Sequence, residues 1–176
     1  MEYRELYFKS KWFSATNPQN PKKASATLTF DGSVVAGEVV TIGEEKYEFV
    51  AAVADLTEGN IAVVVGETLT ADNAVEKLAD TIEENSNIVT AVADKDNGTC
   101  VISYVAVGTA GNAITIAETC TKASFGEGVV KLSGGQFGTP CPVKDSIIYV
   151  DHYYYWCEVA GNKDDVVWKK FTPVLY

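Results

Sequence analysis

The sequence contains a single histidine, and its four cysteines, Cys100, Cys120, Cys141 and Cys157, include no Cys-x-x-Cys pair. Structural zinc sites need four nitrogen or sulfur ligands, usually in closely spaced pairs, so this composition disfavours a metal centre. No other motif indicates a bound group. We therefore expect neither a metal nor a cofactor.

Basic residues are scarce as well, because 14 Lys and Arg stand against 24 Asp and Glu for a net charge of −10. Nucleic acids and anionic membrane surfaces both attract positive charge, so we expect neither as a partner. No uninterrupted apolar run approaches the ~20 residues that cross a bilayer, and no export signal is visible at the N-terminus. Reduced, buried thiols are then the expected state of the cysteines, with Cys120 and Cys141 in loop-like sequence as the most exposed pair; a disulfide framework is the alternative.

Charge divides the chain into three segments. Residues 1–23 carry five basic and two acidic side chains, residues 24–137 carry five and seventeen, and residues 138–176 carry four and five. Pro18 and Pro21 mark the first boundary, and a Gly-rich stretch marks the second. This pattern predicts an N-terminal arm (1–23), a central domain (24–137) and a small C-terminal module (138–176).

The central segment alternates apolar and polar residues, as in Ala26, Leu28 and Phe30, which is typical of half-buried strands. A Gly-led connection, Gly43–Lys46, predicts a hairpin between two of them. Apolar residues from Ala71 to Ile82 instead recur every three or four positions, which predicts one amphipathic helix capped by Thr70 or Asp72. The expected fold class is α+β, a mainly antiparallel β domain with one helix over one face of its sheet, followed by a small all-β module.

The C-terminal segment reads as three short strands at 147–151, 153–159 and 166–172. Aromatic residues alternate over both faces of the middle strand, so at least one face must be buried. A module this short rarely supports a core of its own, which favours a closed homo-oligomer, with a trimer as the preferred state.

No catalytic constellation is present. Asp151 lies beside His152, but neighbours in a strand point to opposite faces, and the paired carboxylates lie at turns and on the polar helix face. The Gly-rich loops lack the Lys-Ser/Thr of a phosphate loop. We expect a protein that is not an enzyme and has no catalytic residues.

Several blocks together resemble a small β-rich module of tailed-bacteriophage virion structural proteins, including tail-sheath-like and decoration proteins. The resemblance spans about 110 residues and rests on Ala26–Phe30, Gly37–Gly43, Lys46–Val50, the helix Thr70–Glu84, Gly108–Ile114 and Leu132–Gly135. The C-terminal residues Gly138–Pro140, Ile148–Asp151, Tyr153–Cys157 and Trp168–Phe171 are similar to a second, Tyr/Trp-rich phage module. Cys141 replaces the glycine of that pattern, and Asn162–Val167 lengthens its last turn.

The resemblance implies a non-enzymatic virion component that assembles in the cytoplasm of the host bacterium, with the major capsid protein or other virion proteins as partners. A capsid decoration or cement protein of the head is the preferred interpretation, and a tail or neck subunit (sheath-associated, adaptor or fibre) is the alternative. For the arm we predict contacts with partners, unless its apolar side chains complete the chain's own core; these residues are Tyr3, Leu6, Tyr7, Phe8, Trp12 and Phe13. A third hypothesis is a module that binds glycans or host surfaces through aromatic rings, with Tyr153, Tyr155, Trp156 and Trp168 as interface or sugar contacts.

Overall fold

The computed structural model of the protein describes residues 18–66, 70–141, 144–145, 147–150 and 153–171. The chain divides into two compact units. The central unit is Lys23–Gly135, and the terminal unit joins Met1–Lys22 to Gln136–Tyr176. The arm residues predicted to contact partners, Tyr3 to Phe13, lie outside the described residues.

The central unit contains eight strands and one α-helix in its described part. In chain order these are β1 (Lys23–Phe30), β2 (Val39–Ile42), β3 (Glu45–Val50), β4 (Ile61–Val64), α1 (Ala71–Asn85), β5 (Val89–Asp94), β6 (Thr99–Val107), β7 (Ile116–Glu118) and β8 (Ala123–Ser124). Short 3₁₀ turns occur at Val53–Asp55 and Ala110–Ala113.

These strands form two four-stranded sheets, in the orders β5-β6-β1-β8 and β4-β3-β2-β7. All pairs are antiparallel except β3 with β4, which is parallel. The predicted fold class, mainly antiparallel β with a single helix, is therefore confirmed. The expectation of one sheet was wrong, because the alternating pattern reports which face of a strand is buried and not which strands are neighbours.

The hairpin predicted at Gly43 joins β2 to β3. Gly43 has φ 61°, a left-handed conformation that glycine adopts without steric cost, and its N–H donates to the carbonyl of Thr115 at 2.7 Å. The turn thereby fixes the register in which Val40 lies opposite Tyr47.

Helix α1 begins at the predicted cap, where the Thr70 hydroxyl accepts a hydrogen bond from the N–H of Asn73 at 3.4 Å, and it ends at Ser86. It packs against β4, β5 and β6. Its buried face consists of Ala74, Val75, Leu78, Ala79 and Ile82. This stripe joins inward-facing strand residues such as Leu28, Tyr47 and Phe49 in one core.

The terminal unit contains a three-stranded antiparallel sheet in the order β9-β10-β11, with β9 at Ile147–Val150, β10 at Tyr153–Val159 and β11 at Val167–Phe171. Asn20 ties the start of the described chain to this sheet, because its side chain accepts from the N–H of Trp168 at 2.6 Å and donates to the carbonyl of Trp168 at 3.1 Å. The core of the unit is formed by Cys141, Tyr155, Cys157, Val166 and Trp168.

Candidate interaction surface

One side of the β5-β6-β1 sheet points away from the core of the central unit. The strand register places Thr27, Val101 and Val92 side by side in one row. Because side chains alternate along a strand, the neighbouring Leu28 and Cys100 point inward and are fully buried. The side chains of the opposite parity form what we call the outer face: Ser25, Thr27, Thr29, Thr90, Val92, Thr99, Val101, Ser103 and Val105.

Between Lys23 at the start of β1 and Asp94 at the end of β5, which share this side of the sheet, the outer face carries only hydroxyl and valine side chains. Val92 is 67% exposed and Val105 is 40% exposed. This absence of charge contrasts with residues 24–137 as a whole, which carry five basic and seventeen acidic side chains. A partly apolar, uncharged patch in an acidic unit has the composition expected for the centre of a protein contact, where charged residues are depleted.

Opposite charges lie at the two ends of the outer face. Lys23 is exposed at the start of β1, paired with Val107 of β6. Asp94 is exposed at the end of β5, paired with Thr99 at the other end of β6. The surface is therefore uncharged between its ends. Its two charged corners, Lys23 and Asp94, have opposite signs, so that the corner of one copy can attract the opposite corner of another.

The edge of the same sheet is closed by side chains from the helix end. Glu83 Oε1 accepts a hydrogen bond of 2.6 Å from the N–H of Ala91, and Ser86 Oγ accepts from the N–H of Val89 at 3.2 Å. These amides would otherwise point out of β5 and could pair with a strand from another chain. A partner is consequently expected to approach this sheet by its face and not by its β5 edge.

The aromatic residues that the sequence singled out in the terminal unit divide into two pairs. Tyr155 and Trp168 are only 4% and 5% exposed, so the interpretation of these two rings as open sugar-stacking platforms was wrong: they are core residues. The indole N–H of Trp168 donates to the carbonyl of Thr139 at 2.7 Å. The alternation of side chains in the sequence assigned these residues to strands, but it does not reveal which side of each strand is buried in the core of the terminal unit.

Tyr153 and Trp156 are half-buried. The Nζ of Lys170 lies 3.5 Å from the centroid of the Tyr153 ring, and the indole N–H of Trp156 donates to Oδ1 of Asp145 at 3.0 Å. One face of the Tyr153 ring is therefore already occupied by a cation. Of these two half-buried rings, Trp156 is the one over which no cation lies in the described part of the chain.

A cavity of about 380 Å³ opens beside Thr29, at the β8 side of the first sheet. Asp31, Glu118, Cys120 and Phe125 contribute to its lining. Burial raises the pKa of Cys120 to about 12, with a further contribution from nearby carboxylates. The thiol is therefore protonated at neutral pH and is not activated as a nucleophile.

No cluster of three or more His, Cys, Asp or Glu side chains with the geometry to hold a metal ion occurs among the described residues. In the same part of the chain, no helix is both long and apolar enough to span a membrane.

Comparison of the chain with models of protein families, with curated proteins and with solved structures found no match. The outer face itself was not singled out in the sequence, although a signal was present. After Lys23, the polar positions of β1 are Ser25, Thr27 and Thr29 and not charged residues. They acquire significance only once β5 and β6 bring similar side chains alongside.

Proposed function

We propose that the protein is a non-enzymatic structural subunit of a tailed-bacteriophage virion, specifically a head auxiliary protein of the decoration or cement type. The proposal rests on the resemblance of residues 26–135 to virion modules and on one structural observation, the uncharged outer face. A subunit repeated over a particle needs a surface that another protein can cover. The outer face offers such a surface on an otherwise acidic unit.

We infer that the occupant of the outer face is a second copy of this chain. This pair replaces the trimer favoured from the sequence, whose premise was a C-terminal module without a core of its own, because the terminal unit buries Cys141, Tyr155, Cys157, Val166 and Trp168. Two copies, each with a net charge of −10, repel one another over most of their surfaces, and this repulsion is weakest where a face carries no charge. In a face-to-face pair related by a twofold axis, Lys23 of each copy can approach Asp94 of the other. The same corner residues would present no such match to a uniformly acidic partner.

The dimensions of the outer face set the strength of this contact. Three strands about 4.8 Å apart and about six residues long cover roughly 10 Å by 20 Å, which is a few hundred Å² and well below the ~800 Å² per partner of a stable complex. Association through this face alone is therefore weak in solution. On a particle, many such contacts act together with those proposed for the arm, and the linked contacts raise the overall affinity.

Association through the outer face is compatible with a position in the head or in the tail. The N-terminal arm favours the head. A basic, aromatic-rich arm next to an acidic domain fits a subunit that fastens itself across neighbouring capsid proteins, which is what cement proteins do. The tail or neck placement remains the second candidate. Binding to glycans is the third, and it now depends on Trp156, because Tyr155 and Trp168 are buried.

The test of the proposal is to locate the chain in particles of a phage that encodes it. Purified particles are digested for mass spectrometry and, in parallel, labelled with a gold-conjugated antibody to the chain for negative-stain imaging. The proposal predicts many copies per particle with the label spread over the head. Label confined to the tail or neck would contradict the head placement, and absence of the chain from particles would overturn the virion proposal.

A matched pair of variants separates the glycan hypothesis from the structural one. Binding of the purified protein to host cells that is lost in Trp156→Ala and kept in Val92→Lys would favour a host-surface module. The structural proposal predicts the reverse for incorporation into particles: Val92→Lys reduces it and Trp156→Ala does not.

A further inference from the structure

Two of the four cysteines lie together in the terminal unit. Cys141 and Cys157 are 2% and 0% exposed and belong to the same small core. The two side chains pack in this core, where the neighbouring Cys141 thiol contributes to the raised pKa of Cys157, and Sγ of Cys157 contacts the carbonyl of Val159 at 3.4 Å. The expectation that Cys141 is an exposed loop thiol was therefore wrong, because its side chain is covered by the core of the terminal unit.

The backbone on both sides of this thiol pair is fixed. Cys141 exchanges two hydrogen bonds with Gly161, of 3.1 and 2.9 Å. Four residues later, the N–H of Asp145 donates to the carbonyl of Cys157 at 2.9 Å. Two cysteines packed in one small core between hydrogen-bonded backbones need little rearrangement to be joined covalently.

The other two cysteines have no comparable arrangement. Cys100 and Cys120 belong to the central unit, Cys100 on the inner side of β6 and Cys120 beside the cavity at Thr29. None of the four cysteines is part of a disulfide in this structure. Any cross-link within the terminal unit therefore involves Cys141 and Cys157.

We propose that Cys141 and Cys157 form an intramolecular disulfide when the protein meets a low-molecular-weight disulfide such as oxidised glutathione. One cysteine, as its thiolate, attacks the small disulfide, which gives a mixed disulfide and releases one small thiol. The second thiolate then attacks the protein sulfur of that mixed disulfide and releases the second small thiol. The protein loses two protons and two electrons, and the reagent takes up both and is reduced to two thiols.

Burial determines when this reaction proceeds. Desolvation raises the pKa of Cys157 to about 12, so few thiolates are present in the folded unit and a reagent cannot reach them without local opening. The exchange is therefore slow in the native protein and fast when the unit opens or refolds. In a reducing compartment the pair stays reduced, and in an oxidising medium it becomes a covalent link between the segment before β9 and strand β10.

The disulfide is tested with the full-length wild-type chain and oxidised glutathione as the probe. The protein is unfolded, refolded in a buffer of oxidised and reduced glutathione, alkylated, and digested for mass spectrometry. We expect a peptide pair linked through Cys141 and Cys157, with Cys100 and Cys120 alkylated. The melting temperature should rise by several degrees relative to the reduced protein and return to the reduced value on treatment with dithiothreitol.

Two controls keep the result interpretable. The double variant Cys100→Ala/Cys120→Ala should retain the cross-link and its dependence on reductant. Cys141→Ser should lose both, and a separate Cys157→Ala variant provides the same comparison if the first fails to fold. Glutathione adducts on Cys141 or Cys157 without a cross-link, a linkage that involves Cys100 or Cys120, or four alkylated cysteines after refolding would overturn the proposal. This inference does not depend on the proposed function, because it concerns only chemistry within one chain.

Discussion

The side-chain amide of Asn60 donates a hydrogen bond of 2.7 Å to Oε2 of Glu48. Thr57 adds two further bonds to the same carboxylate, one from its N–H and one from its hydroxyl, each 3.1 Å long. Glu48 lies on β3 with its side chain opposite the core residues Tyr47 and Phe49, and it is nonetheless only 3% exposed. The loop between β3 and β4 is thus held over the second sheet by a buried carboxylate.

Glu48 should make the stability of the central unit depend on pH. The hydrogen bond from Asn60 lowers the pKa of Glu48, and although burial raises it, the bonds from Thr57 help keep it below the ordinary value. A carboxylate with a lowered folded-state pKa contributes stability above its unfolded pKa and loses it as the pH falls through the folded pKa. We expect Glu48→Gln to lower the free energy of unfolding by about 1–3 kcal/mol at pH 7 and to flatten its fall between about pH 5 and pH 3.

Glu58→Gln is the matched control, since Glu58 lies exposed in the same loop. Urea unfolding of the wild type and both variants at a series of pH values gives the comparison. Equal pH dependence in all three proteins would refute the role assigned to Glu48.

Glu83 should protect the β5 edge. Replacing it with Ala removes the acceptor of the 2.6 Å bond from the N–H of Ala91, which we expect to cost about 1 kcal/mol of unfolding free energy and to increase aggregation at high concentration. Glu84→Ala, a change at an exposed neighbour on the same turn, should alter neither quantity. Unfolding curves and light scattering check both effects, and equal behaviour of the two variants would contradict this account of the edge.

Removal of residues 1–17 should leave both units folded. The truncated chain keeps Asn20, whose side chain holds the backbone of Trp168 through two hydrogen bonds, and it keeps the whole of β1. We expect a melting temperature close to that of the full chain, together with loss of incorporation into particles. Asn20→Ala in the full chain should do the opposite. It should lower the melting temperature, and at temperatures below that value the variant should still be incorporated into particles. Unfolding of the truncated chain would assign the arm to the core.

Local features of this fold were predictable and the relations between distant strands were not. The Gly43 hairpin and the cap at Thr70 follow from rules that act within a few residues, and both are confirmed. The parallel pairing of β3 with β4 depends on contacts between segments separated by the Val53–Asp55 loop, which alternation does not encode. Burial of Cys141 was missed for a related reason: its loop-like sequence does not reveal the backbone pairing with Gly161 that places it in the core.

The outer face shows the same limit at the level of the candidate site. Thr27, Val92 and Val101 are separated by up to 74 positions in the sequence, and only the register of β1, β5 and β6 brings them into one row. No local pattern marks such a row as a surface. The acidic character of the central unit, by contrast, could be predicted from composition. Against that background, a face without charge stands out as a candidate contact surface.

Sedimentation equilibrium of the wild type, Val92→Lys and Val53→Lys tests the central claim most directly. The two valines are 67% and 64% exposed in the same unit, so the substitutions match in chemistry and exposure, but only Val92 lies on the outer face. From about 10 µM to about 1 mM, the range of a weak contact, we predict concentration-dependent self-association of the wild type and Val53→Lys and its loss in Val92→Lys. A wild-type chain that stays monomeric throughout, or two variants that associate equally, would contradict the assignment of the outer face as the contact between copies.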